Sequence, residues 1–200
     1  MGTERYLVAW EPQGGRLRLI EPMPGEVRDH ARALAEFYNE PVNRALLTNS
    51  QEFTPDDVCE QFAAMRREGG RAFLLFRDDV LMGDCDLRHI EERSAEYAIL
   101  IGARADQARG AGTRFSGMLM AFAFGALGLA RVFASVRPAN TGSLRMLAKL
   151  GYVVDATPTA RRFAEEDDDV CMSLGADEFA RGYGETLTSM RIAKRDPAGE

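Results

Sequence analysis

The stretch of residues 107–113 reads Gln107-Ala108-Arg109-Gly110-Ala111-Gly112-Thr113, and its position between a strand and a helix decides the fold. The apolar run at 97–101 before it is typical of a buried strand, and apolar residues at helical spacing follow it to residue 127. A glycine-containing turn that opens a helix gathers backbone N–H groups at the positive end of the helix dipole. It therefore suits a phosphate or pyrophosphate group.

Several kinds of phosphate loop contain such glycines. A dinucleotide-binding loop requires a third glycine where this chain has Phe115, and a Walker loop requires a lysine between Gly112 and Thr113. A third pattern, Gln/Arg-x-x-Gly-x-Gly/Ala, is satisfied by Gln107, Gly110 and Gly112. In it the glycines leave room for the anion and Arg109 adds a charged contact. A strand-to-helix turn without a ligand is the remaining alternative.

A second motif follows about thirty residues later. A strand at 131–137 leads to Asn140, a short helix, and then Lys149-Leu150-Gly151-Tyr152. The two motifs together resemble those of the GNAT N-acetyltransferases, in which the first is the coenzyme A loop. The alternative is that Asn140 only caps the helix at its start and Gly151 only ends it.

The resemblance extends over about residues 16–175. It is nearest to the branch that holds the ribosomal-protein N-terminal acetyltransferases and their small-molecule relatives, through Arg16-Leu17-Arg18-Leu19-Ile20, Met82-Gly83 and Ala95-Glu96-Tyr97. It implies an α/β (α+β) fold with a mixed, mostly antiparallel central sheet and helices on both faces. We expect one acetyltransferase domain at 1–176, with 1–15 as an N-terminal extension, and a C-terminal helix and flexible tail at 177–200.

Composition limits the function. The 200 residues include 46% hydrophobic and 28% charged residues, which is ordinary for a globular domain. No membrane span or signal peptide is visible, and the odd number of cysteines favours a reducing cytoplasm. The net charge of −6 argues against nucleic acid and favours a cationic substrate. With two histidines and no cysteine pairs at metal spacing, we expect no metal site.

Periodicity and turn residues predict the order of the elements. Thr54-Pro55-Asp56-Asp57 is a strong helix start, and residues 39–53 form a connection that could border a substrate cleft. The predicted strands lie at 6–10, 16–20, 72–76, 80–87, 96–101, 132–136, 152–156 and 170–174. The predicted helices span residues 27–38, 54–68, 112–127, 141–150 and 177–190. A polar turn is predicted at 88–94 and a frayed end at 191–200.

The resemblance also implies chemistry. Acetyl-CoA would donate its acetyl group directly to a primary amine, and the main chain of Ile99, Leu100 and Ile101 would pair with pantetheine. The amide N–H near Leu100 or Ile101 would polarise the thioester carbonyl. Asn140 would contact the pantetheine or a water molecule. Ser143 would do the same or would donate a proton to the leaving thiolate.

A base must remove the proton from the attacking amine. Glu96, at the head of the fourth family strand, is the first candidate, although an acidic residue at a strand end is often only solvated. Asp84 and Asp86 share one face of the preceding strand; they either bind a cationic substrate or, as we favour, face water. The acidic run at 165–169 is either a solvated loop, which is favoured, or a collar for a cationic amine.

The family's usual tyrosine acid is missing, because Leu147 occupies the position seven residues after Asn140. Tyr152 is more typical of a core aromatic than of a substitute. A thiolate leaves without a strong acid, since thiols titrate near pH 8.5. Cys85 suggests a covalent acetyl-cysteine, but a cysteine on a strand usually packs in the core.

Three functions remain open from the sequence. The first is an N-acetyltransferase whose acceptor is a small-molecule or peptide amine. The second is a catalytically silent CoA-binding sensor or regulatory protein, and the third is a nucleotide-binding module. Dimers are common in the family, so a homodimer is also open.

Overall fold

A single mixed sheet crosses the part of the protein that the computed structural model describes, namely residues 4–13, 15–47, 51–107 and 109–195 without the side chains of Arg104 and Glu185. Its strands lie in the order β7-β8-β6-β5-β4-β3-β2-β1-β9. The strands are Arg5–Trp10 (β1), Leu17–Ile20 (β2), Arg71–Arg77 (β3), Val80–Glu91 (β4), Ser94–Ile101 (β5), Arg131–Val136 (β6), Val153–Val154 (β7), Val170–Gly175 (β8) and Met190–Arg195 (β9).

Helices cover both faces of this sheet. They are Pro24–Asn39 (α1), Pro41–Leu46 (α2), Pro55–Arg67 (α3), Ala111–Ala121 (α4), Thr141–Leu150 (α5), Pro158–Arg161 (α6) and Ala176–Leu187 (α7). Only β5 and β6 pair in parallel within the described sheet. The predicted mixed, mostly antiparallel sheet with helices on both faces is thus confirmed.

The two faces carry separate cores because side chains alternate along each strand. On β3, Phe73 and Leu75 enter the core beneath α4, whereas Leu74 and Phe76 pack against α1 and α3. We call these the α4 face and the α1–α3 face. The α4 core is the larger and holds Phe115 and Phe122, both fully buried.

Local sequence signals set several helix boundaries. Thr54 caps α3 by accepting a hydrogen bond from the Asp57 amide at 3.2 Å, and Asp57 accepts from the Thr54 amide at 2.8 Å. At α5, the Asn140 side chain accepts from the Ser143 amide at 3.1 Å, and Gly151 follows the helix with φ of 96°. Both predicted caps are therefore confirmed.

Other boundaries differ from the prediction. The long helix expected at 112–127 is α4 followed by a π-helical turn, Phe122–Ala126, in which the Leu127 amide donates to the Phe122 carbonyl. This turn sets Phe122 between Phe73 and Tyr6, with ring centroids 5.1 and 5.0 Å away. Tertiary packing of an aromatic side chain thus overrides the regular helical repeat.

The prediction of a frayed end at 191–200 is wrong for residues 191–195. They belong to β9, which pairs antiparallel with β1 along its whole length. Arg195 anchors the strand through two bonds to Glu26, at 2.7 and 2.9 Å. Because its partners in β1 lie 180 to 190 residues away in sequence, local pattern could not reveal this strand. The remaining residues of the predicted tail, 196–200, lie outside the described part of the chain.

Two smaller corrections concern the strands next to the site. The turn expected at 88–94 is narrower, because β4 runs to Glu91 and β5 begins at Ser94. The strand expected at 152–156 is only Val153–Val154, since Tyr152 turns into the core instead. The connection at 39–53 contains α2, and Leu46, Leu47 and Phe53 from it do border the cavity described below.

Candidate active site

The sheet opens between its two parallel strands. β5 pairs with β6 only from Ser94 to Glu96, opposite Arg131 to Phe133. Beyond Glu96, β5 stays hydrogen-bonded to β4 as far as Ile101, while β6 stays paired with β8 as far as Val136. Ile99, Leu100 and Ile101 therefore have a strand partner on one side only. Because the Gly102 amide donates to Met82 of β4, the alternate residue Leu100 also directs its main-chain groups at β4, whereas those of Ile99 and Ile101 point to the open edge. Gln107 occupies the Ile101 carbonyl, so the main chain of Ile99 and the Ile101 N–H are available to an extended ligand and the main chain of Leu100 is not.

A bulge in β4 lies beside this opening, next to the residue that pairs with the end of β5. Leu75 pairs with Gly83 but the next residue, Phe76, pairs with Leu81, so β4 contains one extra residue there. Gly83 has φ of 146°, and a β-carbon on it would lie 1.9 Å from the Leu100 carbonyl oxygen. Only glycine allows β5 to approach so closely at this point.

The predicted phosphate loop ends at the start of α4. Gly110 takes the N-cap position in the left-handed conformation, with φ of 82°, and no side chain caps the first turn. The first-turn amides of Ala111, Gly112 and Thr113 thus lie where a phosphate group could accept hydrogen bonds from them. Arg109 and Gly110 are exposed, whereas Ala108 lies outside the described residues.

Gln107 ties this loop to the rest of the site. Its side-chain amide donates to the Asn43 side chain at 2.9 Å and to the Ile101 carbonyl at 2.8 Å. Asn43 is 2% exposed and donates in turn to the carbonyls of Phe37 and Gly102. The Gln107 amide therefore positions the loop from inside the protein, and Asn43 is a supporting residue that sequence reasoning missed.

Gly112 has a packing role in addition to its expected role of leaving room for the anion. A β-carbon there would lie 2.9 Å from the Met146 sulfur of α5 and 3.8 Å from Ile101. The glycine lets the start of α4 approach α5, which forms the other wall of the opening. A larger residue would displace Met146 as well as crowd the loop.

A cavity of about 260 Å³ lies in the opening, and residues from both faces of the sheet line it. The apolar part of its wall includes Phe53, Ala98, Ala134 and Met146. Its polar lining residues are Tyr38, Gln61, Asp84, Asp86, Arg88, Glu96, Ser135, Arg137, Asn140, Ser143, Glu165 and Asp169. The cavity thus brings together four elements of the prediction: Glu96, the β4 aspartates, the motif around Asn140, and the acidic run.

Glu96 lies on the floor of this cavity, where β5 and β6 part. It is 9% exposed, and its Oε2 lies 2.9 Å from Nδ1 of His89. Burial raises the pKa of the Glu96 carboxyl, while Arg88 and His89 act in the opposite direction. His89 itself is mostly exposed, with 61% of its side chain accessible, so it connects Glu96 to solvent.

Asp84 and Asp86 do not face water, so the favoured interpretation of these residues is wrong. They are 8% and 6% exposed, because α1 and α3 cover this face of the sheet. Tyr38 donates to Asp84 at 2.7 Å, and burial raises the pKa of Asp84 to about 7. Asp86 instead accepts two bonds from Arg88, at 2.8 and 3.0 Å.

The acidic run also enters the site. Asp169 is 4% exposed and accepts hydrogen bonds from the Ser135 hydroxyl at 3.2 Å and from the amides of Glu165 and Glu166. The favoured interpretation of the acidic run as a solvated loop is therefore wrong for Asp169, although it holds for Asp167 and Asp168, which are exposed. The turn at 165–169 closes on this carboxylate through the two amide bonds, while Ser135 ties it to β6.

The remaining candidate residues lie either in the cavity wall or in the core. Asn140 and Ser143 line the cavity, and the Asn140 side chain is held by its capping bond. Leu147 is 1% exposed in the α4 core, and Tyr152 is buried there with its hydroxyl 3.2 Å from the Met120 sulfur. Cys85 is likewise a core residue, and burial raises the pKa of its thiol well above the usual value, which disfavours a nucleophilic role.

Among the described residues, no group of three or more His, Cys, Asp or Glu side chains has the proximity that a metal ion needs. Within the same residues, no helix combines the length and the apolar character required to cross a bilayer.

Comparison with known proteins supplies the family. The acetyltransferase (GNAT) domain family matches residues 16–153, which is well over half of the chain. This chain belongs to the GNAT acetyltransferase family. The GNAT resemblance drawn from the loop at 107–113 and the Asn140 motif is thereby confirmed. Among curated protein sequences, none matches significantly.

Solved structures with this fold cover nearly the whole chain. RimJ from Mycobacterium smegmatis, solved with CoA-disulfide, aligns with a TM-score of 0.73 and 19% identity over 93% of this chain and 96% of its own. Spermidine N-acetyltransferase from Vibrio cholerae, solved with CoA and spermine, aligns with a TM-score of 0.66 and 19% identity. The alignment covers 82% of this chain and 97% of that protein. Aminoglycoside acetyltransferase AAC(6′)-Ib, solved with coenzyme A, aligns with a TM-score of 0.66 and 18% identity. The alignment covers 82% of this chain and 96% of that protein.

Proposed function

We propose that this protein is an acetyl-CoA-dependent N-acetyltransferase that moves the acetyl group to a primary amine by direct attack in a ternary complex. The observation that carries the proposal is the opening between β5 and β6, which has an uncapped helix start at one end and Glu96 at the other. Acetyl-CoA supplies an activated acetyl thioester, and its long, flexible arm matches an open strand edge that leads to a phosphate loop.

The chain offers donors along the whole length of such a ligand. Backbone N–H groups of Ala111, Gly112 and Thr113, with Arg109 beside them, fit a pyrophosphate. The free edge of β5, to which the main-chain groups of Ile99 and Ile101 point, fits the amides of pantetheine. Of the two expected amides, the Leu100 N–H is directed at β4, so the Ile101 N–H is the one suited to stabilise negative charge on the carbonyl oxygen during attack.

Glu96 is the proposed base. A free alkyl ammonium holds its proton until about pH 10, so a nearby carboxylate must accept that proton, directly or through water. The raised pKa of the buried Glu96 carboxyl brings it closer to the pH of use, which favours proton transfer. His89 can then pass the proton from Glu96 to solvent, because its ring lies 2.9 Å away and is largely exposed.

The leaving group requires less help. Ser143 and Asn140 border the cavity at the start of α5, where the Ser143 hydroxyl is available to donate to the thiolate and Asn140 to a water or to pantetheine. Since Leu147 replaces the usual tyrosine, we assign no strong acid. A thiolate is stable enough near neutral pH to leave with a hydrogen bond alone.

The acceptor in this proposal is a cationic small molecule or a protein N-terminus. Carboxylates of Asp84, Asp86, Glu96 and Asp169 surround the cavity, and Arg88 offsets only Asp86 by direct bonding. Amines also appear in the neighbours, as spermine in one and as an aminoglycoside substrate in another. The proposal includes a cytoplasmic location, allows a homodimer, and keeps 1–176 as the catalytic domain.

A catalytically silent CoA-binding sensor is the second candidate, and Leu147 favours it because the common acid is absent. Thermal denaturation with acetyl-CoA, CoA, NAD or ATP, followed by an assay with an amine panel, tests both. A ligand that binds only the folded protein raises its midpoint. We expect a rise with the two CoA species alone, then acetylated amine. A rise without any product favours the sensor, and a rise with NAD or ATP instead contradicts both.

A further inference from the structure

Three buried acceptor atoms in the described structure have no hydrogen-bond donor, and all three belong to residues of the cavity wall. They are Oε1 of Gln61, Oδ1 of Asp84 and Oδ1 of Asp169. Buried polar groups are almost always paired, and an unpaired one costs about 1–3 kcal/mol, or more when it is charged. A wall with several unpaired acceptors is built to receive a ligand rich in N–H donors.

The chemistry of these atoms selects the donor. An ammonium group carries three N–H donors and no acceptor, so it satisfies such oxygens without leaving a partner unpaired. A carboxylate also bonds an ammonium more strongly than a neutral donor. Tyr38 is neutral, and it donates only to the other oxygen of Asp84. A positively charged ligand group therefore fits Asp84 better than a hydroxyl or an amide does.

The sheet register separates the unpaired oxygens into two places. Asp84 lies opposite Leu100, four residues along β5 from Glu96, which corresponds to ~13 Å of strand. Gln61 belongs to α3, which packs on the face of the sheet that carries Asp84, and it lines the same cavity. Asp169 is bonded to Ser135 of β6, two residues beyond the partner of Glu96. Asp169 is thus near Glu96, whereas Asp84 is remote from it along the sheet.

We propose that the acceptor carries at least two ammonium groups: the reacting amine beside Glu96 and Asp169, and a second ammonium between Asp84 and Gln61. This inference rests on the proposed function and specifies its substrate class as a linear di- or polyamine whose nitrogens are on the order of 10 Å apart. A peptide N-terminus supplies one ammonium only, which leaves the remote subsite unfilled.

Ionisation of Asp84 is consistent with this assignment. Three groups face the Asp84 carboxyl: Tyr38 from α1, and Asp86 and Arg88 from its own strand. Burial is the main reason that the pKa of Asp84 is raised to about 7. Arg88 is already engaged by Asp86. As the pH rises through 7, Asp84 gains its charge, so the remote subsite should hold a cation more tightly at pH 8 than at pH 6.

The test compares two amines of equal length. An eight-carbon α,ω-diamine offers a second ammonium, whereas the eight-carbon amino alcohol offers a neutral hydroxyl in its place. We expect kcat/KM to be at least tenfold higher for the diamine at pH 8, and the ratio to shrink at pH 6. Equal kcat/KM values for the two amines would overturn the inference. Absence of both acetylation and acetyl-CoA binding would instead overturn the proposed function.

Two variants with equal net charge test whether the preference for the diamine arises at Asp84. D84N keeps an acceptor for Tyr38 but removes the charge, and it should lower the preference for the diamine tenfold or more. D168N removes one charge from an exposed residue and should leave the preference as it is. Equal losses in both variants contradict the assignment. Q61L tests the same subsite independently, with an expected loss of several-fold, should D84N fail to fold.

Discussion

Single residues at this site owe their properties to burial that the sequence does not display. Alternation along β4 was enough to predict that Asp84 and Asp86 share a face, but α1 and α3 decide that this face is dry. Glu96 was predicted as the base from its position at the head of β5. Its contact with His89 depends on the turn between β4 and β5, where His89 takes φ of 49°.

The first prediction at this scale concerns catalysis by Glu96. E96Q keeps the size of the side chain but cannot accept the proton, so kcat should fall by about 10²–10⁴-fold, the usual contribution of a general base. Affinity for acetyl-CoA should change little. Steady-state kinetics with calorimetry measures both, and E92Q, on the exposed turn before β5, is the control. Full activity in E96Q would show that another base or water suffices.

Asp84 leads to a prediction about stability. Its pKa rises from 3.8 to about 7 on folding, so the folded protein retains a proton that the unfolded chain releases. Folding stability is therefore lost as pH rises from about 4 to about 7, by at most ~4 kcal/mol at ~1.4 kcal/mol per pKa unit. D84N lacks this penalty and should melt several degrees above the parent protein at pH 8.

The control for this measurement is the same variant at low pH. At pH 4 Asp84 is protonated in the folded protein and only about half ionised in the unfolded chain, so most of the gain in D84N should vanish there. Thermal denaturation of the parent, D84N and D168N at the two pH values separates the effect from a general change in charge. A gain of equal size at both pH values would contradict the raised pKa of Asp84.

At the scale of elements, the strand–loop–helix unit from β5 to α4 was predictable because its signals are local. Apolar strand residues, two glycines and a helical repeat follow one another in the sequence. The caps of α3 and α5 were predictable for the same reason. The π-helical turn after α4 was not, since it depends on the contacts of Phe122 with Phe73 and Tyr6.

The start of α4 is the element that a substitution can test. G112V places a branched side chain against Met146 and in the loop, so acetyl-CoA affinity should fall at least tenfold and the melting temperature should also drop. G142A, at the start of α5, is the matched control, because its new β-carbon would meet only ordinary contacts. Unchanged CoA affinity in G112V by calorimetry would remove this loop from the site.

At the scale of the whole molecule, β9 closes the sheet against β1 and could not be predicted from local sequence. Removing the chain from residue 190 onward should lower the melting temperature and promote aggregation, because the β1 edge is then exposed and Glu26 loses Arg195. R191A, which changes an exposed side chain of the same strand, should melt nearly as the parent does. Equal melting of the shortened chain would mean that β9 adds little stability.

Acetyl transfer within the opened sheet is the central activity proposed for this protein. The most direct measurement incubates the protein with acetyl-CoA and the eight-carbon diamine, and follows the free CoA thiol and the acetylated amine together. We predict that the two products appear in equal amounts and that thiol release requires the amine. Binding of acetyl-CoA without acetylated product, or thiol release that does not depend on the amine, would contradict the account.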